Sequence, residues 1–143
     1  MIHPKCIRKT KVEKIKIEER GRKAIFLNPH REEYSAVQVD GCVVTNELAA
    51  DWVVSKCKVG DVIVELKGKD VEHATKQVVA TAKLWKQKGL CQGKLAGLIV
   101  CSQYPKASTS VQKKQQAFAS EFSGQLHVRT RNREYDLEQL LGG

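Results

Sequence analysis

Residues 61–77 (DVIVELKGKDVEHATKQ) constrain the fold more than any other stretch, because a strand pattern runs there directly into a helix pattern. Side chains alternate between the two faces of a strand, so Glu65 and Lys67 are neighbours on one face. Gly68 ends the strand pattern, and Asp70 is a candidate N-cap for the amphipathic helix that follows. A carboxylate and an ammonium at the end of an apolar strand, beside a helix, are candidates for a metal-assisted active site.

Two further strands precede this segment and one follows its helix, each an apolar stretch bounded by polar turns. The helix is predicted over residues 70–88 and a fourth strand over 95–102, and this strand–helix–strand connection implies a right-handed crossover and a mixed sheet. Gly41 marks a bulge or bend in the first strand. The strands of the three-strand meander are predicted over residues 35–45, 50–55 and 61–67.

The two ends of the chain add a hairpin and an extension. Residues 14–17 and 23–27 flank a turn with a glycine and predict an N-terminal β-hairpin. The C-terminal elements are predicted as a helix over 111–122 that Gly124 closes, a strand over 125–130 and a short helix over 135–141. We expect one α/β (α+β) domain over residues 1–143, with a basic hairpin in 1–28, a catalytic core in 35–102 and a helix-strand extension in 103–143.

The charge of the chain favours a polyanionic partner. Its 25 Lys and Arg outnumber 16 Asp and Glu, which gives a formal charge of +9 and makes nucleic acid the first candidate. Residues 1–23 hold nine basic and three acidic side chains and so supply six of these nine charges. An alternative for this segment is a solvated edge hairpin whose lysines discourage strand pairing with other molecules.

The five cysteines show neither C-x-x-C nor paired Cys/His spacing, so the sequence supports neither a disulfide framework nor a zinc site. The N-terminal residues lack the apolar core of a signal peptide. The apolar run at residues 95–101 is far too short to span a bilayer. We therefore expect a reducing cytoplasm and no membrane contact.

Asp51 and Glu65 meet the needs of a divalent cation. Mg2+ prefers oxygen ligands, keeps several waters and typically takes one or two carboxylates. The two acids lie near the ends of adjacent meander strands, where they could converge on one ion with the Leu66 backbone carbonyl as a third ligand. Lys67 would orient the attacking water or stabilise the charge that builds on a phosphate. Asp40 is either a turn residue or an additional acid near the metal.

Asp51, thirteen intervening residues, the Glu-x-Lys pair of Glu65 and Lys67, and Gln77 on the next helix resemble the PD-(D/E)XK nuclease superfamily, which has the restriction-endonuclease-like fold. The resemblance implies that Asp51 and Glu65 bind Mg2+ or Mn2+. It also implies that Lys67 assists the nucleophilic water, and that Gln77 supports the site or contacts the substrate.

The resemblance covers roughly residues 37–102 and departs from the family pattern in two places. Ala50 precedes Asp51 where the family has proline, and only residues 31–33 could supply the helix that usually precedes the first core strand. Asp61 opens its strand several residues before the Glu-x-Lys pair, and it is expected to be a turn residue with no part in the site.

The site residues also have alternatives without chemistry. Glu65 and Lys67 could form an ion pair on an exposed sheet surface, where such a pair adds little stability. Gln77 and His73 could be solvated helix residues. Trp52 could pack in the core or stack on a base.

Two functions are compatible with this sequence. The first is a metal-dependent endonuclease that hydrolyses phosphodiester bonds, with DNA favoured over RNA as its substrate. The second is a non-catalytic nuclease-fold binding protein, such as a toxin-immunity or regulatory partner. The basic charge and the retained acids favour the enzyme, and cutting both strands with one site per chain favours a homodimer or two successive nicks. The residues expected to bind phosphates are Lys14, Lys16, Arg20, Arg22, Lys113, Arg129 and Arg131.

Overall fold

The computed structural model describes residues 2–66, 70–103, 108–130 and 133–142, and within them the chain is an α+β protein with two sheets and three α-helices. The strands are β1 (Ile7–Thr10), β2 (Lys14–Glu19), β3 (Arg22–Leu27), β4 (Tyr34–Gln38), β5 (Trp52–Lys56), β6 (Gly60–Leu66), β7 (Lys94–Cys101), β8 (Leu126–Thr130) and β9 (Glu134–Tyr135). The helices are α1 (Val71–Gln87), α2 (Ser108–Phe122) and α3 (Leu137–Leu140), and a 3-10 turn covers Pro4–Cys6. None of these described helices is long and apolar enough to cross a bilayer.

The predicted mixed sheet is confirmed. A six-stranded sheet has the order β1-β4-β5-β6-β7-β8, and a three-stranded sheet has the order β2-β3-β9. Strands β4, β5 and β6 are antiparallel neighbours, whereas β6, β7 and β8 run parallel, so α1 is the crossover from β6 to β7. The parallel strands end together at Leu66, Cys101 and Thr130, and we call this the carboxyl end of the sheet. The opposite end, where Gly60 and Lys94 begin their strands, is the amino end.

The first meander strand is shorter than predicted. It ends at Gln38 because the chain turns at Gly41, whose φ of 83° is readily adopted by glycine. An isolated bridge joins Asp40 to Val44 across this turn. The predicted bend at Gly41 is therefore present, but residues 42–49 form a loop that leads into β5.

One face of the six-stranded sheet is covered by α1 and α2. Asp70 caps α1 as predicted, because its side chain accepts a hydrogen bond from the His73 N–H at 3.0 Å. This layer buries every α1 residue that was predicted to face the sheet, namely Val71, Ala74, Val78, Ala82 and Trp85. The apolar stripe of α1 therefore fixes the helix across β6 and β7.

The hairpin of β2 and β3 covers the opposite face, together with β9 and α3. Ile15 and Ile17 of β2, and Ala24 and Phe26 of β3, are buried against the six-stranded sheet. Lys16 lies between the two isoleucines and is exposed, and β2 is the outer strand of its sheet. The hairpin is therefore a packed layer with a charged outer face, not a wholly solvated arm.

Strands β1 and β9 were not predicted from the sequence. The first pairs with β4 and the second with β3, and each lies at the edge of its sheet. Strands this short contain too few residues for a clear alternation of apolar and polar side chains. The predicted C-terminal helix is correspondingly shorter, because its first residue, Tyr135, belongs to β9.

Cys6 and Cys42 form a disulfide, which corrects the expectation that no cysteines are bridged. The pairing of β1 with β4 brings Cys6, directly before β1, to the turn that follows β4. The two cysteines are 36 residues apart in sequence, and no spacing rule identifies such a pair. Cys57, Cys91 and Cys101 are free thiols.

The end of α2 differs from the prediction that Gly124 closes it. Ser123 adopts the left-handed conformation there, with a φ of 57°. Gly124 is needed for a different reason, because a Cβ at this position would collide with the carbonyl oxygen of Leu95 on β7. The helix also begins at Ser108, three residues before the predicted start at residue 111.

Candidate active site

The regular pairing of β5 with β6 ends at the carboxyl end of the sheet, where hydrogen bonds from side chains continue it. Trp52 and Val64 form the last regular pair, so continuing the register sets Asp51 opposite Glu65. The Asp51 N–H donates to Glu65 Oε1 at 3.1 Å, and the Leu66 N–H donates to Asp51 Oδ2 at 2.8 Å. Each carboxylate thus binds the main chain of the neighbouring strand, and the two predicted metal ligands lie together.

Both acids are buried, with an exposed fraction of 7% for Asp51 and 2% for Glu65. Ile63 lies on the same face of β6 as Glu65 and packs beneath α1, so Glu65 also faces the α1 layer. The alternative of an ion pair on an exposed surface is therefore wrong for Glu65. Two neighbouring buried negative charges cost free energy unless a cation, a proton or N–H donors compensate them. Lys67, whose side-chain ammonium group is predicted to act in the site, lies outside the described residues.

Helix α1 holds the two residues that precede Asp51. Gln77 Nε2 donates to the Ala49 carbonyl oxygen at 3.1 Å, and the Ala50 N–H donates to Thr81 Oγ1 at 2.8 Å. Both helix residues are buried, so the alternative of a solvated Gln77 is wrong. Thr81 was not predicted as a site residue. Its spacing of four from Gln77 on one helical row was the signal that could have identified it.

The side-chain oxygen of Gln77 is buried and has no hydrogen-bond partner among the residues that the structure describes. Its direction is fixed, because Nε2 must face the Ala49 carbonyl oxygen in order to donate. A buried acceptor without a partner costs free energy, so this oxygen is a ready acceptor for a water or a ligand for a cation. His73, one turn earlier on α1, is exposed.

Asp40 approaches the acid pair through its main chain. Its N–H donates to the Ala50 carbonyl oxygen at 3.1 Å, directly before Asp51. Its side chain is exposed. Asp40 is therefore a residue of the Gly41 turn that lies next to the candidate site.

The donors at this place suit a hard divalent cation. Asp51, Glu65 and the Gln77 amide offer oxygen atoms, and the Leu66 carbonyl is the predicted further ligand. Mg2+ commonly binds one or two carboxylates and keeps several waters. Within the described residues, no group of three or more His, Cys, Asp or Glu side chains is placed to hold a metal ion. A cation here would therefore depend on two carboxylates together with amide, carbonyl or water oxygens.

The α1 layer brings basic side chains to the carboxyl end. Ser110 Oγ donates to Glu72 Oε1 at 3.4 Å, and Lys114 Nζ lies 3.7 Å from the same oxygen. These contacts join the start of α2 to the first turn of α1. The adjacent Lys113 is exposed.

The hairpin layer contributes Arg22 at the same end. Burial raises the pKa of the Cys101 thiol, and the positive charge of Arg22 acts in the opposite direction, which places Arg22 near the end of β7. Arg129 on β8 is half-buried, and its guanidinium donates to the Val128 carbonyl oxygen at 3.1 Å. Of the other predicted phosphate-binding residues, Lys16 and Arg20 are exposed, Lys14 pairs with Glu134 at 2.9 Å, and Arg131 lies outside the described residues.

Trp52 is half-buried and packs against the hairpin layer. Its indole nitrogen, Nε1, is buried without a hydrogen-bond partner in the described part of the chain. This position favours the packing role for Trp52 over stacking on a base.

Asp61 is a buried strand residue, contrary to the prediction of a turn residue. It is completely buried and accepts hydrogen bonds from the Ser55 hydroxyl and from the Gln92 N–H, the latter at 2.7 Å. Burial raises the pKa of this carboxyl group, and the two hydrogen bonds act against that effect. Asp61 lies at the amino end of β6, opposite to Glu65, and remains outside the candidate site.

Comparisons with models of known protein families, with curated proteins and with solved structures gave no match to this chain. The chemistry of the site therefore has to be inferred from its own residues.

Proposed function

We propose that this protein is a metal-dependent nuclease of the PD-(D/E)XK type, with DNA favoured over RNA as its substrate. The proposal rests mainly on the reciprocal hydrogen bonding of Asp51 and Glu65 with each other's strand, which holds two buried carboxylates at the point where the regular pairing of β5 and β6 ends. Such a pair is costly to bury in a fold that has no use for it.

In this proposal Asp51, Glu65 and the Leu66 carbonyl hold Mg2+ or Mn2+. The cation would supply positive charge against the negative charge that develops on a phosphodiester in the transition state. Gln77 fixes the main chain before Asp51 and offers its buried oxygen to a water in the site. Lys67 keeps its predicted role of orienting the attacking water.

The basic side chains of both layers would bind the phosphates that flank the scissile bond. Lys113 is next in sequence to Lys114, which approaches Glu72 in the first turn of α1, and the charge of Arg22 acts on Cys101 at the end of β7. Each phosphate that they neutralise releases a counterion, so binding should weaken as salt increases. Cutting of both strands would then take two chains acting as a homodimer, or two successive nicks.

The decisive experiment compares Glu65→Gln and Asp51→Asn with Asp61→Asn. All three remove a buried carboxylate, and Asp61 lies on the same strand as Glu65 but at the amino end. Cleavage of supercoiled, linear and single-stranded DNA, and of RNA, is measured in Mg2+ and in Mn2+, with Lys67→Ala assayed in parallel. We expect the two site variants to lose about a hundredfold or more in rate, the effect typical of losing one charge-stabilising group.

The control Asp61→Asn should cut at the wild-type rate, and circular dichroism should show that all variants are folded. Cleavage that survives both Glu65→Gln and Asp51→Asn would remove the proposed site. A wild-type protein that binds a specific protein partner and cuts no nucleic acid would instead support the non-catalytic binding protein.

We also propose the cytoplasm as the compartment, because Cys57, Cys91 and Cys101 are free thiols. The Cys6–Cys42 disulfide is unusual for a reducing compartment. Counting the thiols of the denatured, unreduced protein from a cytoplasmic extract tests this proposal, since a reduced bridge adds two to the thiols already free.

A further inference from the structure

We propose that Thr81 is a positioning residue for the acid pair, acting through the main chain of Ala50. This inference rests on the proposed function, because it gives Thr81 a purpose in holding Asp51 in place for catalysis. Thr81 touches neither of the two acids in any hydrogen bond described for it, and its contact is with the residue that precedes Asp51.

The hydrogen bond from the Ala50 N–H to Thr81 Oγ1 lies in a fully enclosed environment. Ala49, Ala50 and Thr81 have exposed fractions of 3%, 0% and 1%. The segment that these alanines form precedes the first residue of β5, and besides its contacts with α1 it accepts the hydrogen bond of the Asp40 N–H at the Ala50 carbonyl oxygen. An N–H at such a place needs a protein acceptor, because water cannot reach it.

The two alanines are held to α1 from two sides. Gln77 binds the Ala49 carbonyl oxygen, and Thr81 binds the Ala50 N–H. The residue that follows is Asp51, whose N–H meets Glu65 and whose carboxylate meets the Leu66 N–H. Loss of the Thr81 contact would leave the Ala50 N–H without its acceptor one residue before both of these bonds, so that only the carbonyl groups of the two alanines are still held, by Gln77 and by the Asp40 N–H. A small displacement of a catalytic residue can lower the rate strongly, even when the substitution that causes it lies far from the reacting atoms.

Thr75 provides a matched comparison on the same helix. It is buried like Thr81, but its hydroxyl donates to the Val71 carbonyl oxygen at 2.8 Å, within α1 itself. Truncating Thr75 removes a hydroxyl and a methyl group from the same layer without touching the segment before Asp51. A general loss of packing would therefore affect both threonine variants, whereas a positioning role belongs to Thr81 alone.

Proline at residue 50 offers a second, independent check. Proline has no N–H, so Ala50→Pro removes the donor that Thr81 serves. In Thr81→Ala alone the Ala50 N–H is left buried without an acceptor, which is the unfavourable case. In the double variant both partners are gone, and removal of both partners of a buried hydrogen bond can be nearly neutral. The double variant should therefore recover part of what Thr81→Ala loses.

The experiment uses the full chain with Thr81→Ala, Thr81→Ser, Thr75→Ala and Ala50→Pro/Thr81→Ala. The first readout is amide hydrogen exchange at Asp51 and Leu66, which needs no catalytic activity. The second is the rate of DNA cleavage in Mn2+, separated into kcat and KM. For Thr81→Ala we expect hydrogen exchange at both amides to be at least about tenfold faster than in the wild type. We also expect kcat to fall about tenfold to a hundredfold, with KM unchanged. Thr81→Ser and Thr75→Ala should behave like the wild type in both readouts.

Equal exchange at Asp51 and Leu66 in Thr81→Ala and Thr75→Ala would overturn the positioning role, whatever the cleavage assay gives. Failure of Ala50→Pro/Thr81→Ala to slow the exchange below that of Thr81→Ala would count against the Ala50 N–H as the link. A wild-type protein that cuts nothing, combined with faster exchange in Thr81→Ala only, would refute the nuclease and leave the positioning of Asp51 by Thr81 intact.

Discussion

Asp61 and Glu65 are buried carboxylates on one strand, but their surroundings differ in kind. At the amino end, the Asp61 carboxylate accepts hydrogen bonds from the Ser55 hydroxyl and from the Gln92 N–H, so each of its two oxygens has a donor. Glu65 faces a second acid and lies in a region where the Gln77 side-chain oxygen is buried without a described partner. Buried acceptors without a described partner, such as this Gln77 oxygen, are more often found where a water or a ligand binds.

The same contrast predicts how substitutions of Asp61 affect stability. Asp61→Asn keeps an oxygen for the Gln92 N–H and can donate its amide to the Ser55 oxygen, so its free energy of unfolding at pH 7 should stay within about 1 kcal/mol of the wild type. Asp61→Ala removes the partner of the buried Ser55 hydroxyl and of the partly buried Gln92 N–H and should cost about 2 to 4 kcal/mol. Urea denaturation monitored by circular dichroism measures both, and equal losses would contradict the hydrogen-bonded role of Asp61.

The stability of the wild type and that of Asp61→Asn should depend differently on pH, because the pKa of Asp61 is raised. Burial raises that pKa above its ordinary value of 3.8, so the folded state binds the proton more tightly than the unfolded state. The contribution of Asp61 to the free energy of unfolding therefore increases as pH falls through the folded pKa towards 3.8. Measured from pH 7 to pH 4, the wild type should gain stability relative to Asp61→Asn, and a constant difference between the two would contradict the raised pKa.

Which residues of the site could be predicted depended on local pattern. Asp51 and Glu65 were singled out because strand alternation and adjacent meander strands are visible in the sequence, whereas Gln77 followed from the resemblance to the PD-(D/E)XK superfamily. Thr81 was missed because its partner, the Ala50 N–H, is a main-chain group 31 residues away in sequence. The bridge of Cys6 was missed for the same reason, since only strand pairing brings its partner close.

At the scale of elements, the connection from α2 to β8 depends on a close approach of two main chains. Gly124 passes so near the carbonyl oxygen of Leu95 that no side chain fits there, while Ser123 carries the left-handed turn. A sequence shows the glycine but not which of the two constraints it satisfies. Glycine is common directly after a helix because it readily adopts the left-handed conformation, so the sequence wrongly assigned that role to Gly124.

Substitutions at the two positions should therefore have opposite effects. Gly124→Ala forces the main chains of α2 and β7 apart and should lower the free energy of unfolding by about 2 to 3 kcal/mol, as expected for overpacking. Ser123→Gly relieves the left-handed conformation of a residue with a Cβ and should raise stability by about 0.5 kcal/mol. Thermal unfolding of the two variants tests the assignment, and a reversed order would restore Gly124 as the left-handed residue.

At the scale of the whole molecule, the net positive charge is concentrated in residues 1–23, which contribute strands to both sheets. These residues carry six of the nine net charges and include β1 of the six-stranded sheet, β2 and the start of β3, whereas α1 and α2 cover the face on which the acids lie. At the carboxyl end, Arg22 of the hairpin layer lies near the end of β7, and Lys113 is next in sequence to Lys114, which approaches Glu72 in the first turn of α1. A nucleic acid bound across this end would contact the hairpin layer and the α1 layer.

This arrangement predicts a difference between two pairs of neutralised charges. Arg22→Gln/Lys113→Gln removes two positive charges at the carboxyl end, and Lys58→Gln/Lys88→Gln removes two exposed ones at the amino end. If each of the first pair contacts one phosphate, the slope of log affinity against log salt should decrease by about 2 in that variant only. Fluorescence anisotropy with a labelled duplex, in Ca2+ and on a Glu65→Gln background to prevent cutting, measures the slope. Equal slopes in the two double variants would mean that the net charge of +9, and not its distribution around the acid pair, attracts the nucleic acid.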